Sequence, residues 1–337
     1  MKTILKDMIS VIIPTYKGAS SLSRAIESVL MQEEIEFQII VVDDNYPESK
    51  ERKETEYIMR KYENRKNVKY IKHPKNMNGS TARNTGIRAA DGEIISFLDD
   101  DDFYLPYRLK KCYIRMKETD ADIIYTDVLI VKNNIISDYI KALVEGNLFT
   151  NLLVNENIFG TGSNLFIKRE LITRNGGFNE KLPRQQDYEF LLRQFSKGAI
   201  AVPINECLLV KSMNNTNNSV SYEVLKKIKY SLLCTFCEQI KGLKPELRKN
   251  ALIAQHKELL HTAEISSYQI GIKEQKNALS KLGYKYTISD RLSEILLSSK
   301  MHILFQKTVW KLRGHILRRK YKYICNYALD FSTNSNG

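Results

Sequence analysis

The sequence predicts an α/β protein with a doubly wound, mostly parallel sheet and a mainly helical C-terminal appendage. Short apolar runs alternate with helical hydrophobic patterns over the first 220 residues. Several of these runs end in polar residues. Alternation of strand and helix is typical of parallel sheets with right-handed crossovers, in which ligands bind beyond the carboxyl ends of the strands.

The first strand and the first helix follow from the spacing of apolar residues. Ile9 to Ile13 is a short apolar run that ends at Pro14, which predicts a buried parallel strand. Apolar residues then recur at helical spacing from Leu22 to Leu30, and Ser20 and Ser21 are candidate N-caps for this helix.

The alternation continues through four further strands. The second strand, Phe37 to Val42, ends at Asp43 and Asp44. The later elements are a weak helix at Tyr57 to Tyr62, strands at Val68 to Ile71, Glu93 to Leu98 and Asp122 to Thr126, a helix from Ser80 to Ala90, and a helix with Pro106 in its first turn.

Positive charge is concentrated in the last third of the chain. The net charge is +13; residues 221–337 carry 21 Lys and Arg against 9 Asp and Glu, whereas residues 1–220 carry 31 against 30. A polar stretch from Ser212 to Ser219 precedes this change in composition. We therefore predict a domain at residues 1–220 and a basic, mainly helical region at residues 221–337.

Composition places the chain among ordinary globular proteins. Hydrophobic residues make up 43% and charged residues 27% of the 337 residues. No apolar run approaches the ~20 residues that span a bilayer, and Met1 to Met8 is charged and leads directly into a strand. The five cysteines are scattered, which suits a reducing compartment. These features predict a cytoplasmic protein.

Carboxylates cluster at two of the predicted strand ends. Asp43 and Asp44 follow the second strand, and four acids, Asp99 to Asp102, follow the fourth. The sequence has neither the glycine-rich dinucleotide fingerprint nor the P-loop, so a phosphate ligand needs another source of positive charge. A divalent cation on the carboxylates, Mg²⁺ or Mn²⁺, supplies it. A solvated acidic loop or a helix N-cap is the alternative.

Four segments resemble the inverting family 2 glycosyltransferases, whose domain has the GT-A fold. They are "SVIIPTY", "IIVVDDN", "GSTARNTGIRAADGEIISFLDDDD" and "RQQDYEFLLR", and the resemblance runs from about Met8 to about Val210. It implies a nucleotide-sugar donor. The residues that it places at the donor are Pro14, Thr15, Tyr16, Asp43, Asp44, Arg83, Asp99 and Asp100.

The resemblance also implies a metal site, a catalytic base and a donor-sugar turn. The family's D-x-D motif maps onto Asp99 and Asp101 as ligands of Mn²⁺ or Mg²⁺, although the run of four acids leaves the register open by one residue. The base maps onto Asp187, preceded by Gln186 where a carboxylate is common. Gly162 and Ser163, in "FGTGSN", lie near the donor sugar and acceptor; a plain turn is the alternative.

Two patterns in the last third of the chain have competing interpretations. Cys234 and Cys237, followed by His256 and His261, resemble a zinc site, but their segment fits an amphipathic helix with the cysteines on its buried face. Residues 307–322 contain seven Lys or Arg and no acid, with Trp310, Leu317 and Tyr321 between them. This pattern suits an anionic membrane surface. A solvated helix face is the main alternative, and binding to nucleic acid is a third.

These observations predict a metal-dependent inverting glycosyltransferase. We expect it to move a hexosyl or N-acetylhexosaminyl group from a UDP-sugar to a hydroxyl of a glycan or lipid-linked acceptor, in bacterial surface polysaccharide synthesis. Its predicted location is the cytoplasm, with peripheral contact to the inner face of the membrane. The alternatives are a nucleotidyltransferase with a similar sheet and a nucleotide-sugar-binding protein without catalysis.

Overall fold

The protein has a nine-stranded mixed sheet with helices packed against it. The computed structural model describes residues 5–133, 135–154, 157–213, 220–287, 290, 302–320 and 322–334. The strands are β1 (Leu5–Thr15), β2 (Ile35–Asp43), β3 (Val68–Lys72), β4 (Ile94–Phe97), β5 (Phe103–Tyr104), β6 (Ile123–Lys132), β7 (Ile135–Ile140), β8 (Phe166–Lys168) and β9 (Ala201–Met213).

The described helices follow the strands in the predicted alternation and then dominate the last third of the chain. They are α1 (Ala19–Leu30), α2 (Lys50–Met59), α3 (Gly79–Ala89), α4 (Arg108–Thr119), α5 (Phe149–Leu153), α6 (Arg169–Asn175), α7 (Gln186–Ser196), α8 (Tyr222–Thr235), α9 (Cys237–Lys241), α10 (Pro245–Ile265), α11 (Gln269–Lys281), α12 (His302–Lys320) and α13 (Lys322–Asn334).

The sheet order is β3-β2-β1-β4-β8-β6-β9-β5, with β7 paired to β6. Strands β3, β2, β1 and β4 are parallel, and β6 and β9 are parallel. Strand β8 lies between the two groups and is antiparallel to both β4 and β6. Strand β5 is also antiparallel to β9, and β7 to β6. The mostly parallel α/β fold is therefore confirmed, with antiparallel pairings whose direction hydrophobic periodicity did not indicate.

Three helix starts differ from the predicted ones. Helix α1 begins after Gly18, without a side-chain cap from either serine, and a Cβ at Gly18 would lie 1.8 Å from Asp100 Oδ2. Helix α3 is capped by Asn78, whose side chain accepts a hydrogen bond from Thr81 N, not by Ser80. Helix α4 begins at Arg108, two residues after Pro106. The predicted helices are thus present, and their first residues differ from the predicted ones by a few positions.

The chain forms two compact units. The first comprises Met1–Asn147, Ile158–Asn215 and Arg313–Gly337, and the second comprises Leu148–Asn157 and Thr216–Leu312. The domain boundary at residue 220 stays a prediction, and the charge count did not indicate that residues 313–337 join the first unit.

The first unit buries apolar residues on both faces of its sheet. One core packs α1 and α4 against β1, β2 and β4, through residues such as Leu22, Ile26, Leu109 and Cys112. The other covers Phe103, Leu129 and Val210 with Cys325 and Ala328 of α13. The last helix is therefore a packing element of the first unit.

Helix α12 approaches the sheet closely where it enters the first unit. A Cβ at Gly314 would lie 2.3 Å from Ile136 O, and Arg313 forms an ion pair with Asp138 at 3.0 Å. Leu317 packs against the same core as α13, so the prediction that it faces a membrane is wrong. The side chain of Trp310 and the whole of residue 321 lie outside the described residues.

The second unit is a helical cluster centred on Tyr222, Leu225, Leu259 and Ala263. Around the cysteines the buried residues are Leu232 of α8, Phe236 between the two helices and Ile240 of α9, whereas Cys234 is exposed. The prediction that both cysteines lie on the buried face is therefore wrong. Within the described part of the chain, no helix is both long enough and apolar enough to cross a membrane.

Candidate active site

The carboxyl ends of three adjacent strands meet at one edge of the sheet. In the β1–β2 register Pro14 lies beside Val42 and Thr15 beside Asp43, and the Thr15 carbonyl accepts a hydrogen bond from Asp44 N at 2.9 Å. Strand β4 pairs with the other side of β1. This pairing brings the predicted donor residues of β1 and β2 to the same edge as the acidic run. Tyr16, at the end of β1, is 44% exposed.

Asp43 is buried and fully engaged by neighbouring side chains. Its Oδ1 accepts from Asn45 N at 2.9 Å and Asn45 Nδ2 at 2.8 Å, and its Oδ2 accepts from Tyr70 OH at 2.6 Å. Arg52, itself buried, forms an ion pair with Oδ2 at 3.0 Å and donates to His73 O at 2.8 Å. Asp43 therefore anchors the end of β2, and the prediction that it touches the donor stays a prediction.

Removing the cation from this buried pair should destabilise the fold. We expect Arg52→Met to lower the free energy of unfolding by about 3–5 kcal/mol, because it leaves Asp43 charged and buried. The control Lys69→Met removes an exposed pair with Asp91 and should cost under about 1 kcal/mol. Urea denaturation measures both. Equal midpoints for the two variants would contradict the assignment of Asp43 as a structural anchor.

Asp44 orders the loop that leads into α3. Its Oδ1 contacts His73 Nδ1 at 2.7 Å and accepts from Met77 N at 2.8 Å. Its Oδ2 accepts from Asn76 Nδ2 at 3.0 Å and Asn78 N at 2.9 Å. A carboxylate offers about four acceptor positions, so a nucleotide that hydrogen-bonds to Asp44 must replace one of these partners.

The acidic run divides into residues with different surroundings. Asp99 Oδ1 accepts from Arg83 Nη2 at 2.6 Å, and Arg83 is buried against the Phe178 ring. Asp100 lies against Gly18, with its Oδ2 buried and without a hydrogen-bond partner. Asp101 forms no ion pair with any side chain in the described ranges. This carboxylate and the second oxygen of Asp99 are thus available to a ligand.

Asp102 links three segments of the chain. Its Oδ2 accepts from Ser163 Oγ at 2.7 Å and Thr161 Oγ1 at 3.1 Å, and its Oδ1 accepts from Ser212 N at 3.0 Å. Ser163 Oγ in turn accepts from Asp99 N at 2.9 Å. Because its oxygens are engaged in this way, Asp102 is a scaffold residue, which supports Asp99 and Asp101 as the D-x-D pair that remains available to a ligand.

Burial and mutual repulsion raise the pKa values of the inner acids. Burial, with repulsion from Asp99, raises the pKa of Asp100 to about 7. Burial and repulsion from Asp99 and Asp100 raise the pKa of Asp101 to about 7. The pKa of the buried Asp102 is also well above its usual range. The neighbouring basic residues therefore do not fully offset burial and mutual repulsion in the run, and a bound cation would favour the ionised carboxylates.

The carboxylate pair fits a metal that arrives with a phosphate ligand. Among the described residues, no group of three or more His, Cys, Asp or Glu side chains could hold a metal ion. Mg²⁺ sites, however, use one or two carboxylates and complete their coordination with water and phosphate oxygens. The raised pKa values and the unpartnered Asp100 Oδ2 match such a site.

Asp187 opens α7 and lies at the same edge of the sheet. A Cβ at Gly162 would lie 2.7 Å from Asp187 Oδ2, so the carboxylate packs directly on the 160–163 turn. Its Oδ1 is buried without a hydrogen-bond partner. Burial raises the pKa of Asp187, while the positive charge of Arg83 opposes this effect. The ring of Phe190 stacks on Phe178 at 4.3 Å and fixes the helix.

Two basic residues at this site were missed by sequence reasoning. Arg24 of α1 donates to Asp101 O at 2.5 Å and to Ser212 Oγ at 3.1 Å. Lys211 of β9 donates to Gly160 O at 2.9 Å, and its charge lowers the pKa of Asp187. Arg24 is distant in sequence from Asp101, and Lys211 from Asp187. Neither basic residue belongs to a recognisable local motif.

Comparison with known proteins identifies the domain. The glycosyl transferase family 2 model matches residues 10–176. The uncharacterized glycosyltransferase MJ1057 of Methanocaldococcus jannaschii is 29% identical over 230 residues, which cover 64% of this chain and 74% of the relative. The amylovoran biosynthesis glycosyltransferase AmsB of Erwinia amylovora is 26% identical over 260 residues, which cover 73% and 81%.

Solved structures agree with the predicted fold. S. aureus TarS in complex with UDP-GlcNAc is similar with a TM-score of 0.56 at 18% identity, covering 83% of this chain and 93% of that one. The mannosyltransferase PcManGT from Pyrobaculum calidifontis, in complex with GDP-Man and Mn²⁺, has a TM-score of 0.54 at 17% identity, covering 93% and 87%. Together with the motifs and the site, these matches show that the chain is a glycosyltransferase that belongs to family 2.

Proposed function

We propose that this glycosyltransferase is an inverting, metal-dependent enzyme that uses a UDP-sugar and acts in bacterial surface polysaccharide synthesis. The observation that carries the proposal is the placement of Asp187. Its carboxylate has a buried oxygen without a hydrogen-bond partner and lies at the sheet edge that also holds Asp99 and Asp101. The acceptor is a hydroxyl of a glycan or a lipid-linked saccharide.

Inversion requires one displacement at the anomeric carbon, with the acceptor hydroxyl attacking opposite the leaving diphosphate. A sugar hydroxyl has a high pKa, so its proton must pass to a base as the new bond forms. Asp187 performs this role: its unpartnered oxygen accepts the proton, and the contact with Gly162 fixes its orientation.

Asp99 and Asp101 would hold the metal ion, and Arg83 stands beside them. A bound Mn²⁺ or Mg²⁺ would supply positive charge to the leaving diphosphate as a Lewis acid. Arg83 keeps Asp99 in place through its 2.6 Å hydrogen bond. Ser163 holds the backbone of the same loop through Asp99 N. These contacts pre-organise the loop before any ligand binds.

The comparisons support the substrate class in outline. TarS was solved with UDP-GlcNAc, and AmsB is named for amylovoran biosynthesis, which together favour a UDP-sugar and a polysaccharide pathway. PcManGT was solved with GDP-Man and Mn²⁺, so a GDP-sugar is the alternative donor. Membership of family 2 decides against the nucleotidyltransferase interpretation.

A donor screen tests the proposal. The purified chain is incubated with UDP-GlcNAc, UDP-glucose or GDP-mannose, with Mn²⁺, Mg²⁺ or chelator, and the released nucleoside diphosphate is measured. We expect metal-stimulated release from a UDP-sugar. Release from GDP-mannose alone would overturn the choice of nucleotide. No turnover of any donor, with binding retained, would favour a sugar-nucleotide-binding protein without catalysis.

The basic end of α12 supports peripheral contact with an anionic membrane, at the cytoplasmic face that the composition predicts. Arg318, Arg319 and Lys320 are all exposed there, as is Ile316 at 65%. Tyr323, in the following helix α13, is 83% exposed. Basic residues beside exposed apolar side chains bind anionic lipid surfaces. An enzyme with a lipid-linked acceptor would benefit from such contact.

Neutralising these three basic residues should release the protein from anionic vesicles. Each contributes about 1 kcal/mol near an anionic surface, so replacing Arg318, Arg319 and Lys320 with Gln should weaken binding about 10²-fold. Sedimentation with phosphatidylglycerol vesicles at two salt concentrations measures it. The control Lys50→Gln, at an 83% exposed side chain, should bind as the parent does. If the parent protein binds vesicles equally well at both salt concentrations and regardless of lipid charge, the membrane proposal is contradicted.

A further inference from the structure

Lys211 contacts the turn on which Asp187 packs, and the proposed chemistry does not yet use it. It lies on β9, and its Nζ donates to Gly160 O at 2.9 Å. In the described part of the chain it forms no ion pair with an acid. The next residue, Ser212, donates its backbone N–H to Asp102. Strand β9 therefore reaches both the 160–163 turn and the acidic run.

The 160–163 turn is fixed from three sides. Lys211 holds Gly160 O, and Asp102 accepts from the hydroxyls of Thr161 and Ser163. Gly160 has φ +73°, and a Cβ there would lie 2.9 Å from Ile140 Cδ1. The turn can therefore not shift easily, and Asp187 packs on its Gly162. Lys211 of β9 and Asp187 of α7 thus contact the same four-residue turn, at Gly160 and at Gly162.

The charges around Asp187 come from four elements. Arg83 of α3 and Lys211 of β9 attract its carboxylate, and Asp99 after β4 repels it. On its own helix Glu189 is neutralised by Arg193 at 2.8 Å. Arg83 is already committed to Asp99 by an ion pair. Lys211 is also a cation at this edge, and it forms no ion pair with an acid of the described residues.

We propose that Lys211 is a positioning residue for the base: it fixes the turn beneath Asp187 and supplies the charge that favours the ionised carboxylate. The inference rests on the proposed role of Asp187. A base must be ionised to accept a proton, and burial alone disfavours that form. Lys211 offsets this effect without an ion pair to Asp187 that would occupy the accepting oxygen.

The pH profile of kcat separates this role from a structural one. Lys211→Gln keeps a hydrogen-bond donor but removes the charge, so the acidic limb should move about one unit to higher pH. On that limb kcat should fall about tenfold, while the plateau at high pH should change less than about threefold. Lys211→Arg should restore the parent limb, and Lys69→Met, an exposed substitution, should leave it unmoved.

The outcomes distinguish this inference from the proposed function. The full chain is assayed with UDP-GlcNAc, UDP-glucose and Mn²⁺. No turnover by the parent would overturn the proposed function itself. An active parent whose limb is not moved by Lys211→Gln, or a uniform loss of kcat at every pH, would overturn the role of Lys211 alone. If the Gln variant does not fold, Lys211→Met and Lys211→Arg decide by the same comparison.

Discussion

Replacing Asp187 with Asn should lower kcat about 10²-fold or more while nucleotide binding stays nearly unchanged. The substitution keeps the shape of the side chain and removes its ability to accept a proton. Donor affinity should persist because the predicted donor contacts lie on β1, β2 and the acidic run. The loss should therefore appear in kcat and not in the Kd for the nucleoside diphosphate, which calorimetry measures separately.

The fold should tolerate Asp187→Asn. Burial raises the pKa of Asp187 in the folded chain above its unfolded value, so ionising this carboxyl costs stability as the pH rises. A neutral amide avoids that cost, and the variant should be at least as stable as the parent at neutral pH. The same raised pKa predicts that parent kcat falls as pH drops through a value above the ordinary Asp range near about 3.9.

Asp120→Asn provides the matched control. Its side chain is 95% exposed and pairs with Lys168 on the surface, so the same chemical change there should leave kcat unaltered. An Asp187→Asn variant that keeps most of its kcat, or a parent profile without an acidic limb, would show that the base lies elsewhere.

Local sequence was sufficient to find the parts of the site that follow strands. Asp99 and Asp101 come directly after the apolar residues of β4, and Asp43 and Asp44 end β2, so strand alternation alone places them at one edge. Asp187 needed the family resemblance, since an acid in the first turn of a helix is common for electrostatic reasons.

The roles of individual acids depend on partners that are distant in sequence. Asp102 bonds to Ser212, and Arg24 reaches Asp101, across separations of 110 and 77 residues. Such contacts follow from the order of strands in the sheet, which periodicity does not encode. The sequence predicts a strand at Leu165 to Lys168, where β8 lies, but its antiparallel direction depends on the same strand order. Hence the sequence located the four consecutive acids but did not distinguish Asp102, which holds the fold together, from the candidate metal ligands Asp99 and Asp101.

Asp101→Ala should abolish the metal-dependent part of nucleotide binding and leave the fold intact. In the parent, Mn²⁺ should raise the affinity for UDP, because Asp99 and Asp101 would hold a cation whose positive charge favours the diphosphate. Losing a ligand carboxylate should lower the affinity for the Mn²⁺–UDP combination at least about 10²-fold. Titration calorimetry with UDP, in Mn²⁺ and in chelator, measures the difference. Equal affinities for parent and variant in Mn²⁺ would contradict the assignment.

Asp102→Ala tests the register within the acidic run. This substitution removes the acceptor for Ser163, Thr161 and Ser212, so donors in the core of the site lose their partner. Each buried group left unsatisfied costs about 1–3 kcal/mol. We therefore expect Asp102→Ala to lower Tm clearly, whereas Asp101→Ala, without such partners, should not. If Asp101→Ala destabilises the fold and Asp102→Ala removes only metal-dependent binding, the ligand and scaffold roles are exchanged. Comparing the two variants is decisive because Asp101 and Asp102 are chemically identical neighbours and differ only in the hydrogen-bond partners that the fold gives them.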